Sequence, residues 1–364
     1  MKIGILTFHR AENFGAVLQA YALQTFLKKA GVKSYIIDYR CIKVEIVYHV
    51  FNPMILFMRR NLFQSLKEYF KRFVSLVDRC RKKHRYQMFR QRYLQIASFN
   101  DFLHSKMFDA YIVGSDQVWN LNITGGVDGY YFLNFPISNG VRKISYAASS
   151  EIFSYGILRK NGDLISSLLA KFDKISVRED SLKNELQNFV SSEISVCVDP
   201  TLLLFKDDYQ KIAIKPKEKE YVLVYHMVEN LKSVECAEEI SLKTGATIIE
   251  IHASFDNKKS TKRHKYDVGP LELLGYIMYS KYVITTSYHG ILLSVILEKD
   301  FWTFETKSFL RQKDILQKLN LLDRVVDNIH ETDLIKAVDY IKVRDLMNRH
   351  IKDSKHYLLN SLGL

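Results

Sequence analysis

The sequence predicts an α/β protein built from two Rossmann-like units joined by a hinge. Three observations predict it. Short apolar runs alternate with helical segments along nearly the whole chain, the pattern of parallel sheets covered on both faces. The alternation breaks once, at a polar, lysine-rich stretch around Pro216, and then starts afresh. At 364 residues and 47% hydrophobic composition, the chain is too long for one small core and apolar enough to fill two.

The elements follow in order. Residues 3–8 form an apolar run, helix 16–29 is almost wholly apolar, and 35–38 gives the next strand. A basic helical insertion occupies 53–95, and further apolar runs at 110–113, 143–148, 174–177 and 195–198 complete a first unit over 1–210. Residues 205–220 are the linker. The second unit, 217–327, reads as strand 221–226, helix 231–243, strand 246–251, helix 271–280 behind Pro270, strand 282–286, helix 290–297 and strand 301–304. The closing segment, 328–364, holds a helix expected over 331–352, with Leu334, Val338, Ile341 and Asp345 on alternating turns and Leu346 and Ile351 continuing the apolar side.

Composition narrows the function classes. No secretory signal opens the chain, and the longest uncharged apolar stretch, 46–58, is interrupted by His49, Asn52 and Pro53, so a cytoplasmic protein is expected. Cys41, Cys80, Cys197 and Cys236 lie far apart without paired spacing, which argues against zinc and against a disulfide framework and predicts free buried thiols. The net charge of +13 is concentrated: residues 53–95 carry twelve Lys and Arg against Glu68 and Asp78. In the same segment Leu62, Leu66, Phe70, Phe73 and Val77 recur at helical spacing. Such a helix fits an anionic bilayer surface, with about 1 kcal/mol per basic residue near the headgroups, and equally fits an apolar stripe packed on its own domain. Nucleic acid is disfavoured, because no docking motif and no second basic patch accompany the run.

Candidate chemistry gathers at strand ends, where open α/β sheets bind ligands. The segment YVITTSYHGILLSVILEKDFWTF, 282–304, reads as strand, tight turn, helix and strand, and brings Ser287, Tyr288 and His289 to one helix start. Free amides there attract anions, His289 can donate a proton or clamp a phosphate, and Gly290 is expected to let a ligand approach the backbone. The opening TFHRAENFGAVLQAYALQ places His9, Arg10 and Asn13 in a polar loop before a helix, with Gly15 at its start, but lacks the repeated glycines of a dinucleotide fingerprint. In GSDQVWN, the carboxylate of Asp116, the amides of Gln117 and Asn120 and the indole of Trp119 suit sugar hydroxyls and stacking on a sugar face, although Asp116 also suits a helix N-cap. Arg178, permanently charged and fork-shaped, is a candidate anion clamp; Asp199, before Pro200, reads as a turn former.

These segments, with IDYR, ISYAAS, ISVRED, VDPTLLL and FLRQKDILQKLNLLDR, occur in the order seen in the polysaccharide pyruvyl transferase family, and the resemblance runs from residue 1 to about residue 327, with no specific match in the basic insertion or the final helix. It implies a two-domain fold resembling the GT-B glycosyltransferase architecture. The implied co-substrate is phosphoenolpyruvate, with no cofactor and no metal, and the implied acceptor is a sugar of a cell-surface polysaccharide or its lipid-linked precursor. His289 matches the family histidine of a Ser-aromatic-His-Gly turn associated with donor binding, with Tyr288 where many members have Phe. On this resemblance the donor set is Ser287, Tyr288, His289, Gly290, Arg178 and Arg311, and the acceptor set is His9, Asn13, Gly15, Gln117, Trp119 and Asn120. Catalysis would fall to His289 as acid, Asp116 as base and Arg178 as cation, with the 53–95 insertion resting on the inner face of the plasma membrane. A nucleotide-sugar glycosyltransferase of the same fold would need a carboxylate for the ribose, and only Glu298 is near. A non-catalytic component of polysaccharide assembly would have no use for polar residues at several strand ends.

Overall fold

The computed structural model describes residues 1–48, 73, 75–104, 108–227, 230–255, 261, 263–306, 309–326 and 336–364. The first unit is a sheet of β1 (Lys2–Leu6), β2 (Lys33–Ile37), β3 (Ile96–Ala97), β4 (Ala110–Val113) and β5 (Arg142–Ser145), in the order β3-β2-β1-β4-β5. Every pairing in it is parallel. A further parallel pair, β6 (Ile175–Val177) and β7 (Ile194–Val196), continues this edge through bridges from Ile144 to Lys174 and Ala148 to Val177.

The second unit repeats the order. Strands β8 (Tyr221–His226), β9 (Thr247–His252), β10 (His264–Lys265), β11 (Tyr282–Thr285) and β12 (Phe301–Thr303) form a parallel sheet ordered β10-β9-β8-β11-β12. All residues of β4 and β8 are buried, which is why these strands read as unbroken apolar runs rather than alternating ones. In both sheets the order reverses beside the first strand, so each unit has a switch point where two strand-to-helix turns diverge and leave a crevice. The architecture is therefore α/β, with two Rossmann-like sheets.

The longer helices are α1 (Phe14–Lys29), α2 (Leu76–Tyr93), α3 (Leu231–Thr244), α4 (Pro270–Tyr279), α5 (Tyr288–Ile296), α6 (Leu310–Lys318) and α7 (Tyr340–Leu362). Their ends follow local chemistry. Asn13 Oδ1 accepts from the Gly15 and Ala16 amides and starts α1, a cap worth about 1 kcal/mol. Pro270 opens α4, and Gly245 closes α3 at φ 69°.

Helix α7 lies further along the chain than the expected 331–352, of which 331–335 are outside the described residues. Asp339 sets its start by accepting from the amides of Ile341 and Lys342, and Gly363 at φ 73° ends it. The helix ties the units together. Just before it, the Val338 amide donates to Asp300 Oδ1 at 2.6 Å in the second unit. Near its end, Tyr357 donates to the Ser145 carbonyl at 3.0 Å, and Ser354 Oγ accepts from the Val198 amide at 2.9 Å.

Of the basic insertion, residues 49–72, including Leu62, Leu66 and Phe70, lie outside the described residues. Helix α2 turns Lys82, Tyr86 and Phe89 inward, with Tyr86 against Phe14 and Phe89 against Tyr21 at ring distances of 5.6 and 6.0 Å. Phe73 and Val77 remain 64% and 60% exposed, so the expected stripe does not pack on the domain at these two positions, where the inner face is already filled. Among the described residues no helix is long and apolar enough to cross a membrane. Cys41, Cys197 and Cys236 are free and buried, but Cys80, on the outer side of α2, is exposed.

Candidate active site

The crevices of the two sheets open onto one cavity of about 330 Å³. The first unit contributes Asn13, Asp116, Gln117 and Glu151; the second contributes Met227, Thr286, Ser287, Tyr288, His289, Thr306, Arg311 and Gln312. Nearly all follow the carboxyl end of a strand or begin a helix, so the cavity is a product of topology before any particular side chain is considered.

The start of α5 is its centre. Ser287 Oγ accepts from the Gly290 amide at 3.2 Å, while the Ser287 amide donates to Thr285 Oγ1 at 3.1 Å. The first-turn amides of Tyr288 and His289 have no intrahelical acceptor, and the helix dipole adds a partial positive charge there. Gly290 has a different use from the expected one. A Cβ on it would come within 2.3 Å of Thr285 Oγ1 and 2.9 Å of a Tyr225 ring carbon, so the missing side chain seats α5 on its sheet and opens no path for a ligand.

Gly15 likewise makes room for protein. A Cβ on it would stand 2.0 Å from His289 Nδ1, so the imidazole of the second unit rests directly on the first turn of α1 in the first. Gly15→Ala is expected to push the ring out of place, lowering turnover about 100-fold, the usual result of a misplacement near 1 Å. Overpacking should also cost about 1–3 kcal/mol. Steady-state kinetics and denaturant melts of that variant check both values.

Behind His289 lies a buried ionic network. Asp199 Oδ2 stands 3.3 Å from His289 Nε2 and accepts from Arg178 Nη1 at 2.8 Å; Oδ1 accepts from the Thr201 amide and hydroxyl at 2.9 and 2.8 Å. Burial alone would raise the Asp199 carboxyl, yet His289, Arg178 and the Thr201 amide together hold it well below the usual carboxylate range. Asp199 thus forms the expected turn and also anchors the imidazole, a role its Asp-Pro context does not signal.

Arg178 is not an open anion clamp. Its side chain is 1% exposed, with Nε donating to Glu179 at 2.9 Å, Nη1 to Asp199 and Nη2 to Ser149 Oγ at 2.8 Å. Engaging a substrate anion would strip two buried carboxylates of their partner. The guanidinium also lies 4.6 Å from the Tyr288 ring centre, and Arg311 lies 5.8 Å from the same ring.

Arg311 is the arginine that lines the cavity. Its Nη2 donates to Glu151 across the units at 2.7 Å, while its buried Nε has no hydrogen-bond partner among the described residues. Asp116 also lines the cavity. It adopts φ 70°, with Oδ1 accepting from the adjacent Gln117 amide at 2.8 Å, and it caps no helix: Asn120 fills that role for Leu121–Thr124. Gln117 reaches the cavity and holds Asn120 Nδ2 at 2.6 Å.

Trp119 and His9 are placed differently from the expectation. Trp119 is buried, donates to the Tyr131 carbonyl at 2.9 Å and stacks on Phe132, so it offers no face to a sugar. His9 is buried too, with Nε2 at 3.0 Å from Asp38 Oδ1 and Nδ1 at 3.2 Å from the Thr7 carbonyl. Its strand-end position is correct, but Asp38 of β2's end occupies it together with Arg10.

Two further cavities prolong the site. One, of about 310 Å³, shares Asn13 and Met227 with the first and is lined by Arg79 and Lys82 of α2. The other, of about 480 Å³, shares Glu12 and Tyr48 with the second and is lined by His9, Arg10, Arg40, Lys83 and Arg90. The cationic side of α2 therefore forms walls of a long polar trench. Burial pushes the Lys82 ammonium down to about 8, opposed by Glu12, while its Nζ donates to the Ala253 carbonyl at 2.8 Å. Glu151, Lys82 and Arg90 carried no motif that would have singled them out, since each reaches the cleft only through tertiary packing.

Two Rossmann-like domains thus meet at a cleft that carries His289 at the start of α5 and Arg311 at the start of α6. The sequence matches the model of the polysaccharide pyruvyl transferase family over residues 13–308, and the chain belongs to that family. No curated protein matches the sequence. Similar solved structures include UDP-N-acetylglucosamine 2-epimerase from Rickettsia bellii, at 10% identity and TM-score 0.49, covering 99% of this chain and 96% of that one. The Methanocaldococcus jannaschii UDP-GlcNAc 2-epimerase in complex with UDP-GlcNAc and UDP is 15% identical at TM-score 0.47, covering 96% and 93%. The E. coli heptosyltransferase WaaC with ADP is 11% identical at TM-score 0.41, covering 96% and 100%. These likenesses say nothing of the substrate of this chain.

Proposed function

We propose that this protein transfers pyruvate from phosphoenolpyruvate to two hydroxyls of a sugar in a cell-surface polysaccharide or its lipid-linked precursor, forming a ketal and releasing phosphate. The observation that carries the reading is His289, braced by Asp199 at the start of α5 and set beside Arg311 in the cavity between the domains.

The donor phosphate sits against Arg311 and the first-turn amides of α5, where charge developing on the leaving group is stabilised. His289 protonates the methylene carbon from Nδ1, the nitrogen turned away from Asp199, and Asp199, at Nε2, stabilises the imidazolium. A sugar hydroxyl attacks the neighbouring carbon while Asp116 accepts its proton. The second hydroxyl then displaces phosphate at that carbon, giving its proton to the now neutral His289, so one C–O bond forms as the bond to phosphate breaks. Arg178 acts as a positioning residue that fixes Asp199, not as a clamp on the donor. Asn13 and Gln117 lie on the acceptor side, and the trench past Lys82 and Lys83 takes the rest of the acceptor, including the phosphates of a lipid carrier.

The 53–95 insertion, with Phe73 and Val77 exposed on a cationic segment, rests on the anionic inner face of the plasma membrane, so the protein works as a cytoplasmic, peripheral enzyme. A nucleotide-sugar donor finds less support: Glu298, the carboxylate available for a ribose, is paired with Lys206 at 2.9 Å and Arg344 at 3.5 Å and lines none of the three cavities. Thermal-shift titration tests the donor. Phosphoenolpyruvate should raise the melting temperature and lose that effect in Arg311→Ala, whereas stabilisation by nucleotide sugars alone would overturn the reading.

A further inference from the structure

The second unit holds a cluster outside the cavity described above. Register alone assembles it. In the parallel sheet His226 pairs with His252 and Glu250 pairs with His264, while Glu250 and His252, two apart on β9, share a face. Three imidazoles and one carboxylate are therefore neighbours on one side of β8, β9 and β10, and their side chains are between 2% and 6% exposed.

The spacing of their ligand atoms is informative. Glu250 Oε2 lies 2.9 Å from His226 Nε2, 3.8 Å from His252 Nε2 and 3.6 Å from His264 Nδ1, and the last two nitrogens are 3.0 Å apart. Separations of 3.6 and 3.8 Å are too long for hydrogen bonds. The 2.9 and 3.0 Å contacts are hydrogen bonds, and the four spacings together lie on either side of the donor-to-donor edge of a tetrahedral site, about 3.3 Å for bonds near 2.0 Å. The atoms of His226, Glu250 and His252 all lie within 4.8 Å of one another. Arg263 pairs with the other carboxylate oxygen, Oε1, at 2.6 Å, which orients Oε2 toward the imidazoles. Tyr266 stacks on the His252 ring at 4.6 Å and fixes its plane.

We infer that His226, Glu250, His252 and His264 form a structural binding site for a divalent metal of zinc-like preference. Imidazole with a single carboxylate suits Zn²⁺, and the burial of His226, Glu250, His252 and His264 suits a closed, structural site. The ion would pin the carboxyl ends of β8 and β9, from which Met227 and Ala253 run into the wall of the trench. The sequence hides the set because its members come from three strands and show no short-range metal spacing.

The test uses the full chain after exhaustive treatment with a chelator, titrated with Co²⁺ and then Zn²⁺ alone. The expected result is one Co²⁺ per chain with the visible absorption of tetrahedral cobalt, displaced by Zn²⁺ with a dissociation constant below about 1 µM. His252→Ala and His264→Ala should each weaken binding at least about 100-fold, and Zn²⁺ should raise the melting temperature of the wild type but not of the variants. Absence of stoichiometric uptake by the wild-type chain, or wild-type affinity in both variants, overturns the inference without bearing on pyruvyl transfer.

Discussion

His289→Ala is expected to lower kcat by about 10²–10⁴ while the protein melts near the wild-type temperature. The range is that of a positioned general acid, and the geometry places the whole effect in chemistry. Asp199 braces Nε2 from below, and Gly15 gives Nδ1 a seat on α1, so the ring is held from both domains. Removing the imidazole leaves Asp199 with Arg178 and Thr201 as partners, so the buried carboxylate stays compensated and the fold is spared. Steady-state kinetics with circular-dichroism melts separates the two quantities. A variant that keeps wild-type kcat would remove His289 from the reaction.

Arg178→Ala should produce the largest loss of stability, about 3–5 kcal/mol, because it leaves the buried carboxylates of Asp199 and Glu179 without their shared cation. Arg178→Lys should recover only part of that loss, since an ammonium cannot serve Glu179, Asp199 and Ser149 in the planar arrangement of a guanidinium. Denaturant unfolding of the three proteins tests the order. Activity should fall in both variants in step with the displacement of Asp199, and Arg178→Lys should show it chiefly in kcat rather than KM, as befits a residue that does not touch the donor.

The contrast between Arg178 and Arg311 shows what a sequence can convey here. Strand-and-helix alternation placed both sheets, because burial on two faces writes itself as continuous apolar runs such as those of β4 and β8. It also located strand ends, and with them His289, Asp116 and Asn13, since topology alone sends those positions to the crevice. Which polar group at a strand end faces ligand and which faces protein depends on partners distant in sequence. Arg178 is satisfied by Ser149 and Asp199, Trp119 by Tyr131 and His9 by Asp38, whereas the Nε of Arg311 is left over. Small residues carry the same ambiguity: Gly15 and Gly290 both signal a close approach, but the approaching groups are His289 and Thr285. The start of α7 moved for a local reason, because Asp339 caps more strongly than the apolar periodicity upstream of it suggests.

Phosphoenolpyruvate is expected to bind at the start of α5, and the proposed reaction depends on it. Determining the structure of the protein with that compound bound tests it most directly. The phosphate is expected within hydrogen-bonding distance of Arg311 and of the Tyr288 and His289 amides, with the methylene carbon facing the His289 ring. A donor lodged instead beside Lys83 and Arg90 in the far cavity, with Arg311 still bound only to Glu151, would contradict it.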